Sequence, residues 1–521
     1  MSNTKAEQPV QDFTGWRNYL WPIHNYELKK FLPMGLMMLF VLFNYTLMRD
    51  TKDVLVITAA GSGAEVVSFL KLGGVLPCAV LFMFFYVKMA NLMSSEKIFY
   101  TLVSAFMIFF ALFGFVINPL VSSLHMSEAT MQAIRETAPK SLYWPIAAIG
   151  NWSFSLFYIM AELWGSVVLS MLFWQFANAT TKISESKRFY AFYGLIGNFG
   201  LIFSGEILKY GSRVGAAAKA AGLGDGYAAN LRVLTVAITL GCLAIMFIYN
   251  WMQKNVLTDP KFFDPTQVKK KKEKLRLSLG ESFKYIFKSS YLGLILMIVL
   301  GYNICINLVE LVWKSQVKIA FPDRNDYSHF MSVLSQSTGI FTIFFTFIGM
   351  NILRRCSWRT AALVNPIIVI ITSVLFFFLL NFTRLNSPDF PVNLAFITTT
   401  LVMLTVSVGL VQNVTCKGTK YSLFDSTKQM AYIPLDSELK AKGQAAVEVI
   451  GGRFGKSGGA MIQAILLAIF GGGTTLLSLA PILGPLVVVI ATLWLFSVFG
   501  LSKKFVALNE KKEAVDAEPQ K

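Results

Sequence analysis

Repeated runs of about twenty apolar residues, broken by short charged stretches, constrain this chain more than any other feature. A helix of that length spans the roughly 30 Å hydrocarbon core of a bilayer. A helix also satisfies its own backbone polar groups there. The runs fall at about 31–49, 65–90, 98–120, 146–176, 188–209, 231–252, 291–313, 328–352, 360–382, 392–415, 444–470 and 476–500. They predict an all-α integral membrane protein with about 12 transmembrane helices. Composition agrees, since 55% of the 521 residues are hydrophobic and only 15% are charged. Soluble domains carry about 25% charged residues, so the length implies one large helical bundle rather than several soluble domains.

The polar stretches divide the chain. Residues 1–30 read as a cytoplasmic segment, with a short interfacial helix expected around Trp16–Tyr26. A six-helix half is expected over 31–252, a basic linker over 253–290, a second six-helix half over 291–500 and a charged tail over 501–521. The linker holds ten Lys/Arg between 254 and 288, including Lys269-Lys270-Lys271-Lys272. So basic a run beside a span stays cytoplasmic and suits anionic lipid. If every span crosses once, this linker shares a side with the N-terminus, Lys182–Arg188, Arg354-Arg355, Lys417–Lys442 and Lys503-Lys504. Both termini are then expected in the cytoplasm. Arg49, Lys52, Arg213, Arg232, Lys314 and Lys318 are left for the opposite loops. Polar loops are expected at 121–143, 211–229 and 416–442.

The net charge is +18. Much of this excess lies in loops where the positive-inside bias requires it, so nucleic acid is excluded as a partner and the bilayer is the surface it meets. The remaining cations suit an anionic substrate. Cys78, Cys242, Cys305, Cys356 and Cys416 lack metal-ligand spacing and read as free thiols. His24, His125 and His329 are far apart. No catalytic constellation, cofactor or metal is expected, and no apolar core of a cleavable signal peptide is present in the first 30 residues.

Charges inside the apolar runs point to function. Glu162 lies far from either end of its span, where a lone carboxylate costs about 3 kcal/mol on insertion scales. It must therefore face the bundle interior or a wet cavity, pair with a cation, or be protonated. Glu310 poses the same problem, although Lys314 stands four residues on, in the favourable order for a helical pair. The run Gly451-Gly452-Arg453-Phe454-Gly455-Lys456-Ser457-Gly458-Gly459-Ala460 mimics a phosphate-binding loop. The pattern requires a glycine where Ile450 stands, and a strand–turn–helix context. An apolar helix follows instead, so Arg453 and Lys456 read as cations on a glycine-rich transmembrane helix. Arg453 is near enough to the span's end to snorkel. The glycines suit either close helix packing or close approach of a ligand. Lys52 reads either as an exposed loop charge or as a site residue. Two lysines, Lys52 and Lys456, would suit a phosphate chain. A faint internal repeat relates Gly197-Asn198-Phe199-Gly200 to Gly452-Arg453-Phe454-Gly455, 255 residues apart. Two six-span halves around a cytoplasmic linker suggest a major-facilitator-like transporter with its site at the midplane.

At these residues the chain resembles the ATP/ADP translocase family of nucleotide transporters found in obligate intracellular bacteria and plant plastids. The resemblance is carried by Phe43–Leu55, Met160–Ser166, Ile306–Glu310 with Trp313-Lys314, Lys420–Asp425, Met430–Asp436 and Gly455–Ala460. It covers nearly the whole chain and looks like the bacterial branch. It implies a carrier, not an enzyme, that exchanges ATP for ADP across the bacterial inner membrane, with phosphate open as a companion of ADP. It also implies that Lys52, Glu162, Glu310 and Lys456 are the important charges. On this reading Lys52 and Lys456, with Arg453, face the phosphates, and Asn44 and Tyr45 receive the base. The alternative within the family is a broader nucleotide importer coupled to protons, with Glu162 or Glu310 as the protonation site.

Overall fold

The computed structural model describes residues 23–181, 183–259, 262, 289–387, 390–394, 397–435 and 437–517. The expected interfacial helix at Trp16–Tyr26 and the basic linker fall mostly outside this described part. Twelve long helices organise the described residues: α1 Leu28–Ile57, α2 Ala64–Leu92, α3 Ser95–Leu124, α4 Trp152–Thr180, α5 Ile183–Ala220, α6 Tyr227–Asn255, α7 Ser290–Ala320, α8 Arg324–Arg355, α9 Trp358–Leu385, α10 Leu401–Met430, α11 Ser437–Phe470 and α12 Ala480–Ala517. Eleven are long and apolar enough to cross a membrane. The remaining one, α11, carries its described apolar part at Ser457–Phe470. Five of these helices start at side-chain caps that satisfy otherwise orphaned N–H groups. Ser94, Ser289, Ser357 and Thr400 each accept from a backbone N–H in the first turn, and Asp323 accepts two. The five cysteines are free thiols.

Several expected boundaries are corrected. Helix α1 does not end at residue 49 but runs through Arg49, Asp50, Lys52 and Asp53 to Ile57. Those charges are paired inside the bundle, so they need no loop. The expected loop 121–143 contains a short helix, Glu128–Thr137, and the loop 211–229 is mostly the end of α5. Residues 416–442 are largely helical, because α10 continues to Met430 and α11 begins at Ser437. The tenth apolar run is expected from 392. An antiparallel hairpin, β1 Pro391–Leu394 with β2 Ile397–Thr400, occupies its start instead, and the helix begins at Leu401.

The packing is two-fold in pattern. In the first six helices α1 packs on α4, α5 and α6, and α3 packs on α6. In the last six, α7 packs on α10, α11 and α12, and α9 packs on α12. Adding six to each helix number converts one set into the other. The repeated tetrapeptide sits at equivalent places in this pattern. A Cβ at Gly200 of α5 would lie 2.6 Å from the Leu39 carbonyl oxygen of α1, and one at Gly455 of α11 would lie 2.8 Å from Asn303 Cβ of α7. These glycines let the helices approach closely, which supports the packing reading. The halves meet chiefly through α5 against α8 and α2 against α11, again equivalent pairs.

Candidate substrate site

Helix geometry separates the neighbours Lys52 and Asp53 by about 100°. On α1 this sends one charge into its own half and the other across to the second half. Lys52 Nζ reaches Glu162 of α4 at 3.0 Å and Asp53 at 2.9 Å. It also lies 3.8 Å from the centroid of the buried Tyr158 ring, a cation–π contact that holds the ammonium in place. The other oxygen of Asp53 accepts from Lys314 Nζ of α7 at 2.8 Å. Lys314 pairs with Glu310 at 2.8 Å, and Glu310 pairs with Lys417 of α10 at 3.1 Å. The result is one continuous chain of charges: Glu162–Lys52–Asp53–Lys314–Glu310–Lys417. It crosses from the first six helices to the last six at Asp53–Lys314.

Burial differs along the chain. Lys52, Asp53 and Lys314 are buried, whereas the Glu162 side chain is 29% exposed and that of Glu310 19% exposed. Buried pairs recover their desolvation cost only when geometry and further hydrogen bonds are good. Asp53 meets this condition with an ammonium on each carboxylate oxygen. Two further links lie beside the chain. Arg49 pairs with Asp50 at 2.9 Å, and Ser335 of α8 donates to Asp50 while accepting from Arg49 at 3.1 Å. Lys71 of α2 donates to Asn307 of α7 at 2.7 Å. Trp313 anchors α7 to α10 through a 2.9 Å bond to the Val406 carbonyl, holding Lys314 and Lys417 in register.

Three π-helical segments adjoin these charges: Lys71–Val75 in α2, Gly165–Phe173 in α4 just after Glu162, and Lys420–Phe424 in α10 just after Lys417. Such segments occur frequently at functional sites.

The sequence-predicted residues divide into three groups. Lys52, Glu162 and Glu310 are brought into the network. Tyr45 is half-buried, with its ring over Gly165, where a Cβ would come within 2.6 Å of ring carbon Cε2. Asn44 is fully buried, and its amide donates to the Ile238 carbonyl and the Cys242 sulfur of α6. It serves helix packing in that position. The expectation that Asn44 receives a base meets a side chain whose amide is engaged by α6. Arg453 and Lys456 lie on α11, but their side chains fall outside the described residues.

Sequence reasoning missed Asp53 and Lys417 as site residues, left Arg49 and Lys314 among the charges of the opposite loops, and held Lys52 as either a loop charge or a site residue. The pairs Arg49-Asp50 and Lys52-Asp53 offered a signal: neighbouring opposite charges at the end of an apolar run can be carried into a bundle together.

A series of bonds between the halves runs from the network away from the start of α1. From the network toward the end of α1 there follow Ser68 to Gln463 at 3.1 Å, Leu476 N–H to Glu65 at 2.9 Å, Lys318 to the Ser62 carbonyl at 2.6 Å and Trp144 to the Thr474 carbonyl at 2.9 Å. Beyond them Lys219 pairs with Asp323 at 2.5 Å and Arg324 with Asp225 at 3.4 Å. All of these lie between the network and the face opposite the one where α1 begins and α12 ends. The face of α1's start is termed the terminal face below.

Two equivalent six-helix sets that meet around charged residues define a major-facilitator-like transporter. Solved structures share this fold. A bacterial homologue of the iron transporter ferroportin aligns with TM-score 0.53 over 93% of this chain and 99% of that chain, at 9% identity. A D-xylose-proton symporter aligns with TM-score 0.52 over 90% and 97%, at 11% identity. Sequence places the chain more closely. The family model described as TLC ATP/ADP transporter matches residues 6–505, and the chain belongs to that family. "ADP,ATP carrier protein 1" of Chlamydia muridarum is 46% identical over 98% of this chain and 95% of its own length. Its namesake in Rickettsia prowazekii is 42% identical over 98% and 100%. The chloroplastic "ADP,ATP carrier protein 1" of Arabidopsis thaliana is 42% identical over 93% and 75%. The chain is thus a multi-pass membrane transporter rather than an enzyme.

Proposed function

We propose that this chain is an antiporter that takes up external ATP in exchange for internal ADP across a bacterial inner membrane, by alternating access of its two six-helix halves. The observation that carries the reading is the charge chain through Asp53 and Lys314. The nucleotide's phosphates bind to Lys52, Lys314 and Lys417, each of which already holds a carboxylate in its place. Polyphosphate oxygens are strong acceptors for ammonium groups. They therefore compete with Asp53, Glu162 and Glu310 for the same donors. Arg453 and Lys456 remain candidates for further phosphate contacts from α11. The terminal face is the cytoplasmic one on this reading, and the bonds between the halves close the external side.

Exchange follows from pairing. When a nucleotide leaves, the carboxylates take back the ammonium groups and lock the halves, so the empty carrier reorients slowly. Proton-coupled import would need a carboxylate that takes up a proton during transport. Asp53, Glu162 and Glu310 each stand in an ion pair, and an ion pair supplies no reason for proton uptake. Phosphate is the candidate companion of ADP for charge balance.

Uptake of labelled ATP into liposomes containing the purified chain tests this. Vesicles loaded with ADP or ATP should accumulate label, and empty vesicles should not. Accumulation in empty vesicles driven by a pH gradient would replace exchange with proton-coupled import. Recovery of the label as hydrolysed or modified nucleotide would replace transport with chemistry.

A further inference from the structure

We propose that Tyr45 and Tyr421 form a nucleobase-binding pair, one ring from each half, on the terminal-face side of the charge network. The proposal rests on the reading that the network's lysines hold the phosphates. Tyr45 precedes Arg49 on α1 by four residues, and Tyr421 follows Lys417 on α10 by four. Residues at that spacing share a helix face. Each residue therefore lies about 6 Å along its helix from a cation of the site. Helix α1 leaves the terminal face and α10 returns to it, so both displacements point the same way. A nucleotide anchored by its phosphates at the lysines extends its base toward these two rings.

The local structure prepares both rings. Gly165 opens the π-helical segment of α4 and leaves the space into which Tyr45 settles. Tyr421 stands in the π-helical segment of α10 and is 50% exposed. Lys420 Nζ lies 4.4 Å from the Tyr421 ring centroid, which orients the ring and adds a further cation. Among the described residues neither phenol hydroxyl has a hydrogen-bond partner. Every base has a flat π-face, so aromatic stacking accepts bases without reading their edges.

The test compares ATP with inorganic tripolyphosphate, which has the phosphate chain and no base, in binding to the purified full-length protein. Tyr421→Leu should weaken ATP binding about ten-fold, as expected for loss of one stacking platform, while tripolyphosphate binds as before. Tyr45→Leu should show the same split, and Tyr421→Trp, which keeps an aromatic face, should recover most of the ATP affinity. Retained tripolyphosphate binding also shows that the variants are folded. Unchanged ATP affinity in Tyr421→Leu, or equal weakening of both ligands, would overturn the base pair and leave the phosphate reading standing. A wild-type chain that binds neither ligand overturns both.

Discussion

Asp53 is the residue on which the two halves depend most directly. It holds Lys52 with one oxygen and Lys314 with the other. Its replacement leaves two buried ammonium groups facing each other across the junction. Removing one member of a buried ion pair typically costs about 3–5 kcal/mol, and network effects make that figure specific to context. Asp53→Asn should therefore lower the midpoint of thermal unfolding in detergent, and it should expose residues such as Ser68 to labelling once replaced by cysteine. A variant with wild-type unfolding and labelling would show that Asp53 does not tie the halves. The reversed pair, Asp53→Lys with Lys314→Asp, should recover part of the loss, because the attraction survives the exchange of sign. Lys52→Ala and Glu162→Gln belong to the same scale. Each should reduce ATP/ADP exchange more than ten-fold in liposomes while the protein still inserts and folds, and retained exchange would remove them from the site.

These residues were unequally legible. Glu162 and Glu310 stood out because a carboxylate in the middle of an apolar run demands an explanation. Lys52 was recovered through the family resemblance rather than through hydropathy. Asp53 and Lys417 gave no such signal. Each lies where an apolar run passes into polar sequence, and polarity there resembles a loop until the partner across the bundle is known. Asn44 shows the converse. Its position beside Tyr45 suggested a ligand contact, but one residue is about 100° of helix, and that rotation turns it into α6.

At the scale of elements, the glycine-relieved contacts of α5 on α1 and α11 on α7 set how closely the helices of each half approach. Gly200→Leu should be more disruptive than Phe199→Leu one position away. The first drives side-chain atoms into the Leu39 carbonyl, whereas Phe199 is exposed on the outer surface of the bundle. Overpacking typically costs about 1–3 kcal/mol, so yield of folded protein and unfolding temperature should fall for Gly200→Leu. Equal behaviour of the two variants would refute the packing role. The repeat was visible in sequence as four letters, and its assignment to packing needed the partner helices. Helix ends were read less well for the same reason as Asp53: a helix continues through polar residues whose charges are paired. The π-helical segments beside Lys71, Glu162 and Lys417 follow from tertiary packing and have no local pattern from which to read them.

For the whole molecule, the ion pairs that join the halves at the end away from the terminal face predict a response to pH there. Partial burial pushes the Asp323 carboxyl up. Hydrogen bonds from Lys219 and from the backbone N–H groups of Asn325 and Asp326 outweigh this and hold it below its ordinary value of 3.8. The backbone bonds are the N-cap of α8 and persist on opening, so only the Lys219 pair stabilises closure above the ordinary carboxylate range, and that contribution is lost as pH falls through the depressed value. Spin labels on the 221–226 and 321–323 loops should therefore report an unchanged distance between about pH 8 and pH 5, and separation below about pH 4. Separation already near neutral pH would assign the response to another group. The effect should be small, since Lys219 is 53% exposed and exposed pairs contribute about 0–1 kcal/mol. The two-half layout was legible from the spacing of apolar runs, but the face that closes was not. It depends on contacts between residues hundreds of positions apart, such as Glu65 with Leu476.

The carboxylate held between Lys52 and Lys314 also bears on how tightly such a protein can bind. Asp53 is a tethered rival of any anionic cargo. It stays at high effective concentration because the fold keeps it there, and the helix returns it whenever the cargo moves away. The measured affinity is the intrinsic affinity of the lysines scaled down by the fraction of time they are released. Weak apparent binding would then be a property of the chain's own chemistry rather than of an incomplete pocket, and Asp53→Asn should bind polyphosphate more tightly while exchanging it more slowly. A protein whose task is to let go keeps, on this account, a built-in competitor at the centre of its grip.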